Sequence, residues 1–443
     1  MRRRPTVLAA ILTGLPVILA VTVLTGIAPS PAAAGTRPAA GTRPAAIAGT
    51  RRGATVSADP VDNTPHIQDG TVRAIAVVGD TVVVGGDFTS LTDAGRRRWY
   101  ERDHLFAYNL RTGRVLSFAP ELDGPVYALA AGPGGTVYVG GNFSSVDGVA
   151  QNSLARLYVD TGEQVPGFDA SLDNGDVRAL AAVGPWLYAG GTFGSINGTG
   201  RAAVARLSDR TGDVDPNFDL HLAAPNLGRP KVEDLAISPN GSRLVVVGAI
   251  AQAGAQYRAQ LALADTSGSV ARLANWWTDT FATPCSSNFD TYLRAVDFSP
   301  DGSYFVTVTT GRAPDPARPC DSAARFNVSG TGAHRPVWVN RTGGDSLYSV
   351  LVTGSAVYVG GHQRWMDNPF GNESAGPGAV SRTGIAALDP VTGRALPWNP
   401  TRSRGVGVRA MAYTPAGLIV GSDTDQLGHE YHARIGMFPP SGR

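Results

Sequence analysis

Val84-Gly85-Gly86-Asp87-Phe88, Val139-Gly140-Gly141-Asn142-Phe143 and Ala189-Gly190-Gly191-Thr192-Phe193 each close an alternating apolar run and return after roughly 50 residues. A chain with this period is constrained to stack copies of one supersecondary unit, because a single copy cannot bury its own apolar face. Looser copies follow at 246–250, 308–311, 359–362 and 420–423, giving seven units.

Each unit carries four apolar or alternating beats of strand length, in the second unit at 126–130, 136–143, 153–158 and 164–168. No stretch shows helical period, so the chain is expected to be all-β. Tight turns carrying Gly113, Gly162, Gly212 and Gly393 join the third and fourth beats, and glycine supplies the positive φ such a hairpin needs. Seven units of four antiparallel strands predict a single seven-bladed β-propeller over 55–443. The last unit ends after its third strand, and the segment from Thr55 to Ile67 fits the gap, so an N-terminal strand is expected to close the ring. The paired glycines read as scaffold, letting neighbouring sheets approach while Phe88, Phe143 and Phe193 fill the wedge between them.

Arg2-Arg3-Arg4, an apolar stretch to about Ala28 and Ala32-Ala33-Ala34 read as a signal peptide over 1–34. The apolar stretch approaches spanning length, so retention as a membrane anchor is the other reading. Residues 35–54 repeat Gly-Thr-Arg-Pro-Ala-Ala and read as a flexible linker. The protein is therefore expected to be secreted or held at the extracellular face of the cell envelope. Only 17% of residues are charged, the formal net charge is +2 and Lys231 is the only lysine, so no basic stripe marks a nucleic-acid binder. Cys285 and Cys320 are the only cysteines, and in an exported chain such a pair reads as a disulfide.

The stretch from Phe289 to Phe305, the segment Gly360-Gly361-His362-Gln363-Arg364-Trp365-Met366-Asp367-Asn368-Pro369-Phe370-Gly371 and Gly421-Ser422-Asp423-Thr424-Asp425 resemble exported actinobacterial β-propellers with delta-60-like repeats. The resemblance covers nearly the whole mature chain. It implies the fold and no reaction, since that family has no established activity. Paired cysteines in the corresponding two segments of similar proteins support the Cys285–Cys320 bridge.

A blade runs up and down, so loops after second strands and loops between blades share one face. The long, irregular loops 89–104, 312–322, 362–383 and 422–433 all fall there, with the inter-blade segment 278–290. Loops held by a rigid scaffold are where binding residues usually lie. The rim of the sixth, seventh and first blades gathers His362, Arg364, Trp365, Asn368, Asp423, Asp425, His429, Tyr431, His432, Trp99 and His104. Internal bracing of long loops is the plain account of such a cluster.

Three functions compete for this rim. The leading one is a binding module for extracellular glycan or cell-wall polymer, with Trp365, Tyr431 or Trp99 stacking on sugars and Asn368 and Asp423 fixing hydroxyls. The alternative is a polysaccharide lyase or hydrolase, with His362 or His429 as base and Arg364 neutralising developing charge. The third is a protein-interaction scaffold, and a monomer is expected in each case. His429-Glu430-Tyr431-His432 is one residue short of the zinc-protease spacing. Asp423 and Asp425 suit calcium, and His429 and His432 a transition metal, but Asp-x-Asp in a loop is more often turn capping.

Overall fold

The computed structural model describes residues 54–286, 289–311 and 318–442. The signal-peptide reading and nearly all of the linker lie outside the described residues, as does most of the 312–322 loop.

The chain is all-β, and each repeat folds as an antiparallel sheet that starts from one seven-residue or shorter inner strand. Val72–Val78, Thr81–Gly86 and Leu105–Asn109 form the first sheet, and Val126–Gly132, Thr136–Gly141 and Leu154–Tyr158 the second. Val177–Val183, Trp186–Gly191 and Val204–Ser208 follow. The next two sheets have a fourth strand: Lys231–Ile237, Arg243–Ala249, Leu261–Asp265 and Arg272–Leu273, then Leu293–Phe298, Tyr304–Thr309, Ser322–Asn327 and Trp338–Arg341. Leu347–Val352, Val357–Gly361 and Ile385–Leu388 precede Ala410–Thr414, Gly417–Gly421 and Ile435–Phe438. Many small antiparallel sheets in series are the arrangement of a β-propeller.

The expected fourth strand is shorter than the sequence pattern implies in four repeats. There it is reduced to one bridge: Tyr108 to Val115, Leu157 to Gln164, Leu207 to Val214 and Leu388 to Ala395. In three of these the cause is proline, since Val165, Asp215 and Leu396 each donate one more backbone bond and Pro166, Pro216 and Pro397 then have no N–H to give. The aromatic residue beyond still anchors the segment, and Phe118, Phe168, Phe218 and Trp398 are all buried. The Thr-Gly turns behave as expected, with Gly113, Gly162, Gly212 and Gly393 at φ 67°, 86°, 79° and 70°.

The core lies between sheets. One cluster joins Val83, Leu105 and Ala107 to Val126, Val137 and Leu157, and the equivalent cluster at the ends of the chain joins Val72, Val84 and Phe106 to Ile419, Ile435 and Met437. Inner strands of successive sheets lie side by side, and Ala410–Thr414 lies beside Val72–Val78. The glycine pairs make this approach feasible: a methyl group on Gly85 would stand 2.5 Å from Val126 of the next sheet, and one on Gly421 would collide with Val72.

The segment before the first sheet runs along the last strand. Val56 bridges Pro440, and Ser57, Val61 and Ile67 donate to the carbonyls of Pro439, Met437 and Ala433 at 2.7, 2.9 and 3.0 Å. Pro60 interrupts the ladder, which is why the contact is a bridge and scattered bonds in place of a full strand. Trp398 reinforces it, donating from Nε1 to the Ser57 carbonyl at 2.9 Å and packing edge-on against Tyr358 and Phe438.

Candidate functional site

The loops after the second strands are more regular than expected. Ser90–Thr92 pairs with Trp99–Glu101, Trp365–Met366 with Val380–Ser381 and Gln426–Leu427 with Glu430–Tyr431, so each projects as a short hairpin. Acidic side chains from the inter-sheet segments clamp them. Asp69 accepts the Thr89 amide at 2.9 Å, and Asp123 accepts that of Ser144 at 2.7 Å.

Most of the rim residues prove to be braces. Asn368 is fully buried, donating to the carbonyls of Thr342 and Ser374 at 2.8 and 3.0 Å and accepting the Gly376 amide at 2.8 Å, so it cannot reach a sugar hydroxyl. Arg364 is neutralised by Asp345, with Nε and Nη2 contacts of 2.8 and 2.9 Å, and its guanidinium lies 4.4 Å over the Trp365 ring. Asp345 is only 2% exposed and takes Arg404 as well, so one buried carboxylate holds both guanidinium groups to the scaffold. His362 accepts the Ser346 amide at Nε2 (3.2 Å), which leaves the proton on Nδ1, 3.2 Å from the Val406 carbonyl. Both nitrogens are engaged by the backbone, and burial lowers its pKa, so the ring serves here as a brace between Ser346 and Val406.

Asp423 accepts the Val406 and Gly407 amides at 2.6 and 2.9 Å, capping the turn before the last sheet. Asp425 takes only Ser403 at 3.4 Å, and exposed His429 only the Thr401 hydroxyl at 3.2 Å. His432 is buried between Thr64 and Glu430. These side chains do not converge, and among the described residues no group of three or more His, Cys, Asp or Glu is placed to hold a metal. Of the expected stacking residues, Trp99 is 60% exposed and Tyr431, half capped by His66 at 4.9 Å and Arg96 at 5.0 Å, is 36% exposed, while Trp365 is only partly exposed. Cys285 and Cys320 form a disulfide, their Cα atoms 5.7 Å apart.

The side chains that do converge sit on the inner strands. In the first six sheets the pairing of first and second strands slips by one residue, between Val72 and Ala74, Val126 and Ala128, Val177 and Ala179, Val232 and Asp234, Leu293 and Ala295, and Leu347 and Ser349. A bulge re-aims the side chain of its extra residue. The extra residues are Arg73, Tyr127, Arg178, Glu233, Arg294 and Tyr348, and Arg409 stands at the same place before the last sheet. All seven line one cavity of about 850 Å³, with Ile75, Leu129, Leu180 and Met411 among its apolar lining.

Carboxylates compensate most of this cationic wall. Arg73 pairs with Asp87 at 2.7 Å. Arg178 pairs with Asp176 and Glu233 at 3.1 and 3.0 Å, which raises its pKa against the opposing effect of burial. Glu233 is also shared by Lys231 and, at 3.4 Å, Arg294. Arg409 has no such partner among the described residues; it lies 4.5 Å over the Tyr348 ring, and burial lowers its pKa, with the Arg73 and Arg294 charges adding to the effect. A cue to this ring was present in the chain as Val72-Arg73-Ala74, Val177-Arg178-Ala179, Leu293-Arg294-Ala295 and Val408-Arg409-Ala410.

No curated protein sequence matches the chain. Among solved structures, the crystal structure of the computationally designed Ika8 protein is similar over 87% of this chain and 99% of its own, at 13% identity and a TM-score of 0.47. Residues 133–160 and 186–218, which carry the second and third Gly-Gly repeats, match a β-propeller domain family of unknown function, DUF5122.

Proposed function

We propose that the chain is an exported, seven-bladed β-propeller, closed by its N-terminal segment, that binds extracellular glycan or cell-wall polymer at the mouth of its central cavity. The observation that carries this reading is the convergence of seven equivalent inner-strand positions, six of them at bulges and two of them tyrosine, on one cavity of about 850 Å³ with polar and apolar walls. Such a mixture suits a ligand with apolar faces and many hydroxyls. The contacts of Val56 with Pro440 and of Gly421 with Val72 support closure. The disulfide supports an oxidising compartment, and the two DUF5122 segments support kinship with the exported actinobacterial propellers.

The rim expectation thus narrows to Trp99 and Tyr431 as outlying stacking surfaces, while the cavity supplies the specific contacts. The lyase or hydrolase alternative draws less support, because His362 and Arg364 are both engaged by the scaffold. A polysaccharide array with the purified protein tests the proposal. Binding to at least one polymer, lost in Tyr348→Ala and kept in Trp365→Ala, is expected; silence across neutral and acidic polymers alike removes the reading.

A further inference from the structure

We infer that the ligand of this cavity carries an oxyanion, a carboxylate or a phosphate, which Arg409 receives beside Tyr348. The inference rests on the glycan-binding reading for the polymer that bears the group, and on Arg409 itself for the charge.

Arg73, Arg178 and Arg294 each have a carboxylate within salt-bridge distance, at 2.7, 3.0 and 3.4 Å. Arg409 has none, and no hydrogen bond from its guanidinium is found among the described residues, although its backbone amide pairs with Gly421 at 3.1 Å. The Asp423 carboxylate acts favourably on it from beyond salt-bridge distance, and that group is engaged by the Val406 and Gly407 amides. The like charges of Arg73 and Arg294 oppose it. Arg409 is half-buried, and a partly desolvated cation that faces a cavity without a carboxylate partner offers a place for an anion.

The geometry suits that anion. Arg409 lines the cavity with its guanidinium carbon 4.5 Å from the Tyr348 ring centroid, and an arginine so placed can grip a carboxylate or phosphate bidentately. Glu233, which lines the same cavity, is already shared by Arg178, Lys231 and Arg294 and makes no ion pair with Arg409.

The test is isothermal titration of the full-length protein with three probes: inorganic phosphate, an oligogalacturonate, and the same oligomer with its carboxyls methyl-esterified. The acid or the phosphate is expected to bind, the ester far more weakly. Arg409→Gln should weaken binding by about 10- to 100-fold, the range of a lost charge-assisted hydrogen bond, and Arg409→Lys by less. Tighter binding of phosphate than of the acid identifies a phosphorylated ligand, and the reverse a carboxylated one; either supports the inference. Phosphate binding lost in Arg409→Gln without any glycan binding keeps the oxyanion site and removes the glycan reading. Equal binding of acid and ester overturns the oxyanion inference and leaves the glycan reading intact. Binding unchanged in a folded Arg409→Gln, or no binding of phosphate and acid at all, also overturns it. Arg409→Gln should melt no lower than the wild type in the absence of ligand, because a partly buried cation without a carboxylate partner is removed; should this variant not fold, the acid-against-ester comparison on the wild type decides.

Discussion

The Asp234 carboxylate accepts the Val296 amide at 2.9 Å and so joins the inner strand of one sheet to that of the next. Asp297 repeats the device one sheet further on, accepting the Val352 amide at 2.7 Å. Desolvation pushes each carboxyl up to about 7, against an ordinary value near 3.8.

A folded pKa above the unfolded one means that the folded state holds a proton the unfolded chain has released. Stability is then greatest below about pH 4, with respect to these two groups, and falls as pH rises from about 4 to about 7. Asp234→Asn and Asp297→Asn should each flatten that part of the profile, at a cost in stability that is independent of pH, because each carboxyl accepts backbone amides on both oxygens and asparagine accepts on one. Denaturant midpoints across pH 4–8 check this; a wild-type profile that rises over the window would contradict it.

Gly421→Ala should destabilise by about 1–3 kcal/mol, since its methyl group meets Val72 in a packed interface. Gly85→Ala should cost a similar amount against Val126. Gly200→Ala, with nothing within 4 Å, is the neutral control. Urea unfolding of the three variants measures the difference. A neutral Gly421→Ala would argue against close contact between the last and first repeats.

Gln363 occupies, in the sixth repeat, the wedge position filled elsewhere by Phe88, Phe143 and Phe193. It is fully buried, and neither its amide nitrogen nor its oxygen has a hydrogen-bond partner among the described residues. Gln363→Met keeps the volume and removes the unpaired groups, so it should stabilise by about 1–2 kcal/mol. A loss of stability in calorimetry would mean that water or a relaxed rotamer satisfies the amide.

Reduction of Cys285–Cys320 opens a loop with a sequence separation of 35 residues. Chain entropy alone predicts a loss of about 3–4 kcal/mol, measurable as a lower denaturant midpoint with dithiothreitol. The Cys285→Ser, Cys320→Ser double variant should match the reduced protein.

Much of the scaffold was legible before any coordinates. Period-two alternation marks Val72–Val78 and its counterparts as strands because side chains alternate across a sheet. The glycines of the Thr-Gly turns are likewise legible, because only glycine adopts positive φ without strain. The shortened fourth strands were less so: the prolines that stop them are visible, but the aromatic anchors beyond them read as strand residues.

The rim illustrates where local reading stops. Arg364, His362 and Asn368 have the chemistry of a site, yet Asp345, Ser346 and Thr342 satisfy them from another part of the chain. Residue type states what a side chain can do and not whether a distant partner has already taken it.

The sequence alone determined the repeat, the strand class, the turns, the glycine contacts between sheets and the single cysteine pair, because each follows from short-range geometry or from counting. Only the tertiary structure decided that seven equivalent residues in separate repeats, six of them at bulges, share one cavity, and that among the described residues Arg409 is the one of its four arginines without a carboxylate in salt-bridge distance. Charge compensation depends on distances across that cavity, which no local pattern encodes.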